Sequence, residues 1–320
     1  MNSPQQSDRV MAPAEHQGVT ARAPEPGTLR MAGGIAFAVA LVAVFGRSLY
    51  ELAVYVMGTT LHSHVVLIPF ISAYLIGIDR ARLPRAGKAW YAFAAPLAAV
   101  GLIVWLLVYR TAGAWSENDR LAGITFSFLC LLSAGCSAFF GREWMRAAAF
   151  PLGFLIFMVP LPDTLVHWLE TGSKFASAEA AAFLLGITAT PMLRDGLILR
   201  FPGIALEVAQ ECSGIRSSWV LFITSVLASH LFLRSNWRRA ALVLFVIPLG
   251  VIRNGFRISV LAWLCVYYSP DMINSIIHSR GGPLFFVLSL GPLFALLWWL
   301  RRGEARSGTA ERTATRSSLT

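Results

Sequence analysis

The chain has 320 residues, of which 56% are hydrophobic and only 14% charged, and its formal net charge is +10. A soluble domain carries about 25% charged residues, so this composition excludes an ordinary soluble protein and points to several membrane crossings. The positive balance does not point to nucleic acid, because the basic residues fall mainly in short connections and tails between apolar runs. The four cysteines are Cys130, Cys136, Cys212 and Cys265. Three of them lie inside apolar runs, where a thiol behaves as a small hydrophobe. No pair has metal-ligand spacing, so neither a metal nor another cofactor is expected.

Residues 1–29 are rich in Pro, Gln, Ala, Ser and Gly and read as a disordered cytoplasmic tail. They lack the pattern of a signal peptide. The first span opens at Arg30 and runs to about Phe45, and residues 47–63 follow as a polar-flanked segment with Glu51 and His62, His64 lying just beyond it. Spans two to four are expected at Val65–Ile78, Trp90–Val108 and Leu121–Phe140, and span five at Ala147–Leu161, closed by Pro160 and Pro162. Residues 163–187 look like an amphipathic helix in the membrane interface, with Trp168, Phe175 and Phe183. Leu193–Val208 alternates like strands, with turns at Gly196 and Pro202-Gly203, and suggests a small hairpin. Span six ends near Leu233, span seven covers Ala240–Tyr268, and span eight covers Pro283–Leu300.

The domain organisation expected is therefore a tail over 1–29, one transmembrane domain over 30–302 and a second disordered cytoplasmic tail over 303–320. The fold class is an all-α polytopic membrane protein of about eight helices, with a small outer-face segment before Cys212. Basic connections at 79–88, 141–146 and 234–239, and the stretch from Arg301, belong on the cytoplasmic side. Both termini are then cytoplasmic, and Cys212 and His278 fall on the outer side. A rise of about 1.5 Å per residue from Ala240 puts Arg257 roughly 26 Å up, near the outer edge of a ~30 Å core.

Cys212 stands apart from the other thiols. It sits in Val-Ala-Gln-Glu-Cys-Ser-Gly-Ile-Arg (208–216), beside Glu211, Ser213 and Arg216, at the mouth of an apolar run. Positive charge and helix-terminal N–H groups favour a thiolate, the form in which cysteine is a nucleophile. Arg253 and Arg257 are four residues apart and share one helical face, with Asn254 on a neighbouring face. An arginine at mid-bilayer costs about 2.5–3.5 kcal/mol on insertion scales, so this face needs a polar partner. The residues alone leave bland readings open. Cys212 can be a structural thiol, and Arg257 an ion-pair strut to Glu211 or Glu207, with Arg253 the better strut of the two arginines. His62 and His64 read as packing or substrate-groove residues.

The motifs resemble the exosortase/archaeosortase family. Glu211-Cys212-Ser213-Gly214-Ile215-Arg216-Ser217 looks like its cysteine box. Asn254-Gly255-Phe256-Arg257 looks like its Asn-x-x-Arg box, and His278 with Gly282 and Phe286 fits its histidine box. The resemblance covers roughly residues 45–300 and implies a bacterial membrane cysteine protease or transpeptidase with Cys212, Arg257 and His278 in the active site. Glu211, Ser213, Arg216, Arg253 and Asn254 then have supporting or substrate-binding roles. It also implies the partners: secreted proteins ending in a Pro-Glu-Pro-type motif, a membrane helix and a basic tail. The setting it implies is the bacterial inner membrane, with the active site facing the periplasm, often alongside exopolysaccharide production. The alternative from another class is a polytopic transporter or assembly component of exopolysaccharide export, whose charged residues would line a path through the membrane. The polar residues gather at one face, and no internal repeat appears, which argues against it.

Overall fold

The computed structural model describes residues 26–317, apart from 60, 85, 112, 203, 209–213 and 270–281; side chains are described from 29 to 306. Among these residues seven helices are long and apolar enough to cross a bilayer, or eight if one bent pair counts as a single span. In chain order the helices are α1 (Pro26–Gly58), α2 (Ile68–Ile78), α3 (Tyr91–Arg110), α4 (Glu117–Ala147), α5 (Ala149–Phe154), α6 (Asp163–Ile187), α7 (Ile215–Phe232), α8 (Asn236–Tyr267) and α9 (Gly282–Ser317). A three-stranded sheet lies between α6 and α7: β1 (Leu193–Asp195), β2 (Ile198–Phe201) and β3 (Ile204–Glu207). The polytopic all-α class expected from composition is the class observed.

Two helices run well past the ends expected from the sequence, each for a physical reason. Helix α1 does not stop at Phe45 but continues to Gly58. Its charges are absorbed in place: Glu51 accepts from Arg47 one turn earlier and from Arg120 of α4, both at 3.0 Å. Helix α9 continues past Leu300, because its polar extension has a job at the same end of the bundle. Glu304 accepts from the backbone N–H groups of Arg234 and Ser235, where α8 begins. A carboxylate at a helix N-terminus is favoured by the unpaired N–H groups there.

The fifth crossing is not one continuous helix. α5 gives six residues, a 3₁₀ turn continues over Leu155–Met158, and the chain then extends through Val159 to Pro162. Helical, 3₁₀ and extended rises together cover about 30 Å, so this short stretch is long enough to span a bilayer core. Its ends agree. Phe150 stacks on His230 near the end of α7, whereas Asp163 meets the start of α4, accepting from Asn118 Nδ2 at 2.8 Å. After Pro162 the axis turns by 86° into α6. α6 packs along α8 with one face. Its small residues Ser177, Ala178 and Ala181, with Leu185, form a buried stripe packed on α8, and Phe183 and Trp168 are left exposed.

The expected hairpin is a three-stranded antiparallel meander, with Asp195 opposite Ile198 and Phe201 opposite Ile204. Gly196 makes the first turn with φ +62°. Leu199, Phe201, Leu206 and Val208 point into the core shared with α6 and α8. The sheet is thus a packed plate on the α6–α8 pair, and it leads the chain toward α7. Helices α7, α8 and α9 share a second core around Leu221, Leu242 and Leu293, and α1 packs on α4 through Leu41, Phe45 and Phe128.

The basic connections gather at one end. Arg30 donates to the Gly87 carbonyl, Gly87 N–H donates to Phe140, and Arg238 donates to Leu300. The opposite end holds the α4 start with Asn118 and Asp119, and it also holds Asp163 at the α6 start, Tyr55 and His62.

Candidate functional site

The site is built where α8 passes between α6 and the first turn of α7. The sequence Arg253-Asn254-Gly255 lets this happen, because each residue meets a different neighbour. Gly255 lies against α6 so closely that a Cβ there would come within 2.6 Å of Ala180 Cβ. Asn254 is 2% exposed and donates from Nδ2 to Ser177 Oγ of α6 at 2.9 Å. Ser259, one turn on from Gly255, donates toward its own helix at Gly255 and toward Ala181 of α6. Arg253 turns the other way. Its Nη2 donates at 3.0 Å both to the Gly214 carbonyl and to Ser218 Oγ of α7.

Gly214 is the N-cap of α7, and its φ of +66° is a left-handed conformation that suits glycine. It has no side chain to cap the first turn, so the N–H groups there gain no side-chain acceptor from the N-cap. The cap residue also sits directly on the α8 polar face: a Cβ would approach Asn254 Oδ1 to 2.7 Å. Ser217 Oγ donates back to the Gly214 carbonyl at 3.1 Å, so that oxygen is shared by Arg253 and Ser217.

Arg253 is only 6% exposed, and its Nη1 has no hydrogen-bond partner. Among the described residues no carboxylate pairs with it, and it clamps a carbonyl and a hydroxyl; Glu211, a partner expected for a strut, lies outside the described residues. Arg257 lies one turn further along α8 and is half-buried. Arg216, in the first turn of α7, is exposed. Glu211, Cys212, Ser213 and His278 lie outside the described residues. The structure therefore brings together Gly214, Arg253 and Asn254, with Arg216 and Arg257 on the same two helices.

Three contributors were not singled out from sequence. Ser177 and Ser218 carry no signal of their own, because a serine in a helix reads the same wherever it points. The third is the link between His64 and α7, in which Trp219 Nε1 donates to His64 Nε2 at 3.2 Å across 155 residues. His64 is buried in the 3₁₀ turn Ser63–Leu67. Trp219 in turn packs on Phe157 and Phe222. His62 is 5% exposed with both ring nitrogens unpartnered, beside the Tyr55 ring. Burial holds its imidazole below the usual histidine range, and the Asp163 carboxylate opposes that only in part. No cluster of three His, Cys, Asp or Glu able to hold a metal occurs among the described residues.

No curated protein and no solved structure shows significant similarity to the chain. The sequence does match, over residues 56–295, the family described as transmembrane exosortase. That match takes in the α6–α8 clamp, the first turn of α7 and most of the membrane helices. The chain belongs to the transmembrane exosortase family.

Proposed function

We propose that this protein is a membrane-embedded cysteine protease or transpeptidase that cuts the C-terminal sorting signal of secreted proteins at the outer face of the bacterial inner membrane. The observation that supports it most is the bond from Arg253 to the Gly214 carbonyl. It joins the residue just before the Asn-x-x-Arg stretch of α8 to the residue that follows Cys212 by two positions. Two motifs far apart in sequence are thereby held within one hydrogen-bonded cluster, at the end of the bundle away from the basic connections. By the charge rule that end faces outward, and both termini are cytoplasmic.

In this reading Cys212 is the nucleophile. His278 takes the thiol proton, the thiolate adds to the scissile carbonyl, and the C–N bond breaks as His278 returns the proton to the leaving amine. Arg257 donates to the oxyanion while it exists, or orients an acidic side chain of the substrate motif. Water or an acceptor amine then attacks the thioester, giving an acid or a new amide and releasing the thiol. Glu211, Ser213 and Asn254 support this arrangement. The substrate's own membrane helix and basic tail anchor it beside α7 and α8, where Phe256, Trp263 and Tyr267 are exposed.

The test is co-expression with a tagged secreted protein that ends in a Pro-Glu-Pro-type motif, an apolar helix and a basic tail. Wild type should shorten the tagged protein, and Cys212→Ala, Arg257→Ala and His278→Ala should leave it intact at equal enzyme levels. Unchanged cleavage by Cys212→Ala would overturn the nucleophile assignment.

A further inference from the structure

A groove runs along the bundle where α1 and α3 each pack on α4 and barely touch one another. Its floor is α4: Phe45 of α1 packs on Phe128, and Gly101 of α3 lies against Cys130. At the inner end it is closed, because Arg30 of α1 donates to the Gly87 carbonyl ahead of α3. At the outer end it opens into a cleft of about 260 Å³. Arg47, Ser48 and Glu51 of α1 form one wall, Trp105 and Tyr109 of α3 the other, and Arg120 of α4 the base. Counted from Arg30 at about 1.5 Å per residue, Arg47 lies roughly 26 Å and Glu51 roughly 32 Å up, at the outer boundary of a ~30 Å core. One turn deeper on the same helix faces, Val44 and Leu102 are exposed, a surface suited to hydrocarbon and not to water. Trp105 and Tyr109 stack on each other at the level where amphipathic rings favour the membrane interface.

The charges in the cleft do not cancel. Glu51 accepts from Arg47 Nε and from Arg120 Nη2, so one carboxylate answers two guanidiniums and one positive charge is left over. Neither guanidinium makes another hydrogen bond among the described residues, and both keep donors free. Asp119, next to Arg120, is used elsewhere, accepting from the Asp163 N–H. Arg110 and Glu117 are exposed at the same end and opposite in sign. We propose that the groove holds one phospholipid of the outer leaflet with a net charge of one negative. Its phosphodiester takes the free donors of Arg47 and Arg120, its headgroup lies against Trp105 and Tyr109, and its acyl chains run down the groove over α4. A phosphodiester matches the single unanswered positive charge, and the arginine fork suits its oxygens. The lipid then fills the gap between α1 and α3 and ties them together. The site is on different helices from the α6–α8 clamp and does not rest on the reaction proposed above.

The test uses the full-length protein, purified in detergent and stripped of lipid, with dioleoylphosphatidylglycerol as the probe. Native mass spectrometry reads the bound lipid and melting scans read the stabilisation. Wild type should hold one phosphatidylglycerol tightly and melt higher with it. Phosphatidylethanolamine, whose net charge is zero, should bind more weakly, and inorganic phosphate alone should not raise the melting temperature. Arg47→Gln should weaken the tight site about tenfold, the loss of one charge-assisted hydrogen bond. Ser48→Phe keeps both arginines but fills the cleft, and should weaken it as well. Arg306→Gln removes the same charge from an exposed position at the other end of the bundle and should leave the site unchanged. Lipid-free melting of each variant separates a lost site from a lost fold; Arg47 is exposed on the surface of α1, so its variant keeps the question open to measurement if Ser48→Phe does not fold. Equal phosphatidylglycerol binding by wild type, Arg47→Gln and Ser48→Phe overturns the proposal, and so does an equal loss in Arg306→Gln. Equal binding of phosphatidylethanolamine overturns the charge match. Stabilisation by inorganic phosphate overturns the lipid as the source of the anion, and displacement of phosphatidylglycerol by a tailed substrate peptide gives the groove to that peptide instead.

Discussion

Replacing Gly214 by alanine tests the junction of α7 and α8, and a second glycine in the same chain supplies the control. Gly214 has φ +66° and Gly196 has φ +62°, so both sit in the left-handed region. An L side chain there costs about 1–2 kcal/mol in backbone energy alone. Their surroundings differ. A Cβ at Gly196 meets nothing within 4 Å, whereas one at Gly214 comes to 2.7 Å from Asn254 Oδ1 and 2.8 Å from Asn254 Cγ. Asn254 cannot yield freely, because Nδ2 is bonded to Ser177 Oγ and the side chain is buried. Moving it forfeits a buried hydrogen bond, worth about 1–3 kcal/mol once a polar group is left unsatisfied. Gly214→Ala should therefore cost about 2–5 kcal/mol in total, and Gly196→Ala only the backbone share. The assay is unfolding of the detergent-solubilised protein by denaturant, followed by tryptophan fluorescence, with both variants and wild type side by side. Equal losses for the two alanines would refute the close packing of the α7 cap on α8.

Two further outcomes follow from the same structure. Gly255→Ala should destabilise by about 1–3 kcal/mol through overpacking against Ala180, despite alanine's better helix propensity. Gly172→Ala on α6, with open space around it, should be neutral or stabilising by up to about 1 kcal/mol; unfolding midpoints of the pair check this, and a Gly255→Ala as stable as Gly172→Ala would refute it. His62 gives a pH signature. Its folded pKa is depressed, so the unfolded chain binds more protons, and the stability it contributes is complete above the unfolded value of about 6.5 and falls as pH drops below it. Melting scans from pH 7.5 to pH 5 should show a fall that His62→Gln reduces, and identical slopes for the two proteins would contradict the assignment.

Much of the architecture was legible because a bilayer imposes simple rules. Apolar runs marked the crossings, and basic connections marked one end of the bundle. The strand-like alternation of Leu193–Val208 was legible too, since Leu199 and Phe201 must share a face. What was hidden depended on pairing at a distance. Arg47 and Glu51 looked like the end of a helix until Arg120 supplied the second partner of Glu51. The fifth crossing looked helical because composition does not distinguish α-helix from 3₁₀ turn and extended chain. At the site, the spacing of Arg253 and Arg257 announced a polar face but not its divided use. Only the packing reveals that Arg253 turns toward α7 while Asn254 turns toward α6.

The central claim is thioester chemistry at Cys212, and trapping tests it most directly. Membranes containing the enzyme and a tailed substrate are incubated with neutral hydroxylamine, and the new C-terminus of the shortened protein is analysed by mass spectrometry. The account predicts a C-terminal hydroxamate with wild type and no shortened product with Cys212→Ala. A product ending only in a carboxylate, formed in equal yield by wild type and Cys212→Ala, would contradict it.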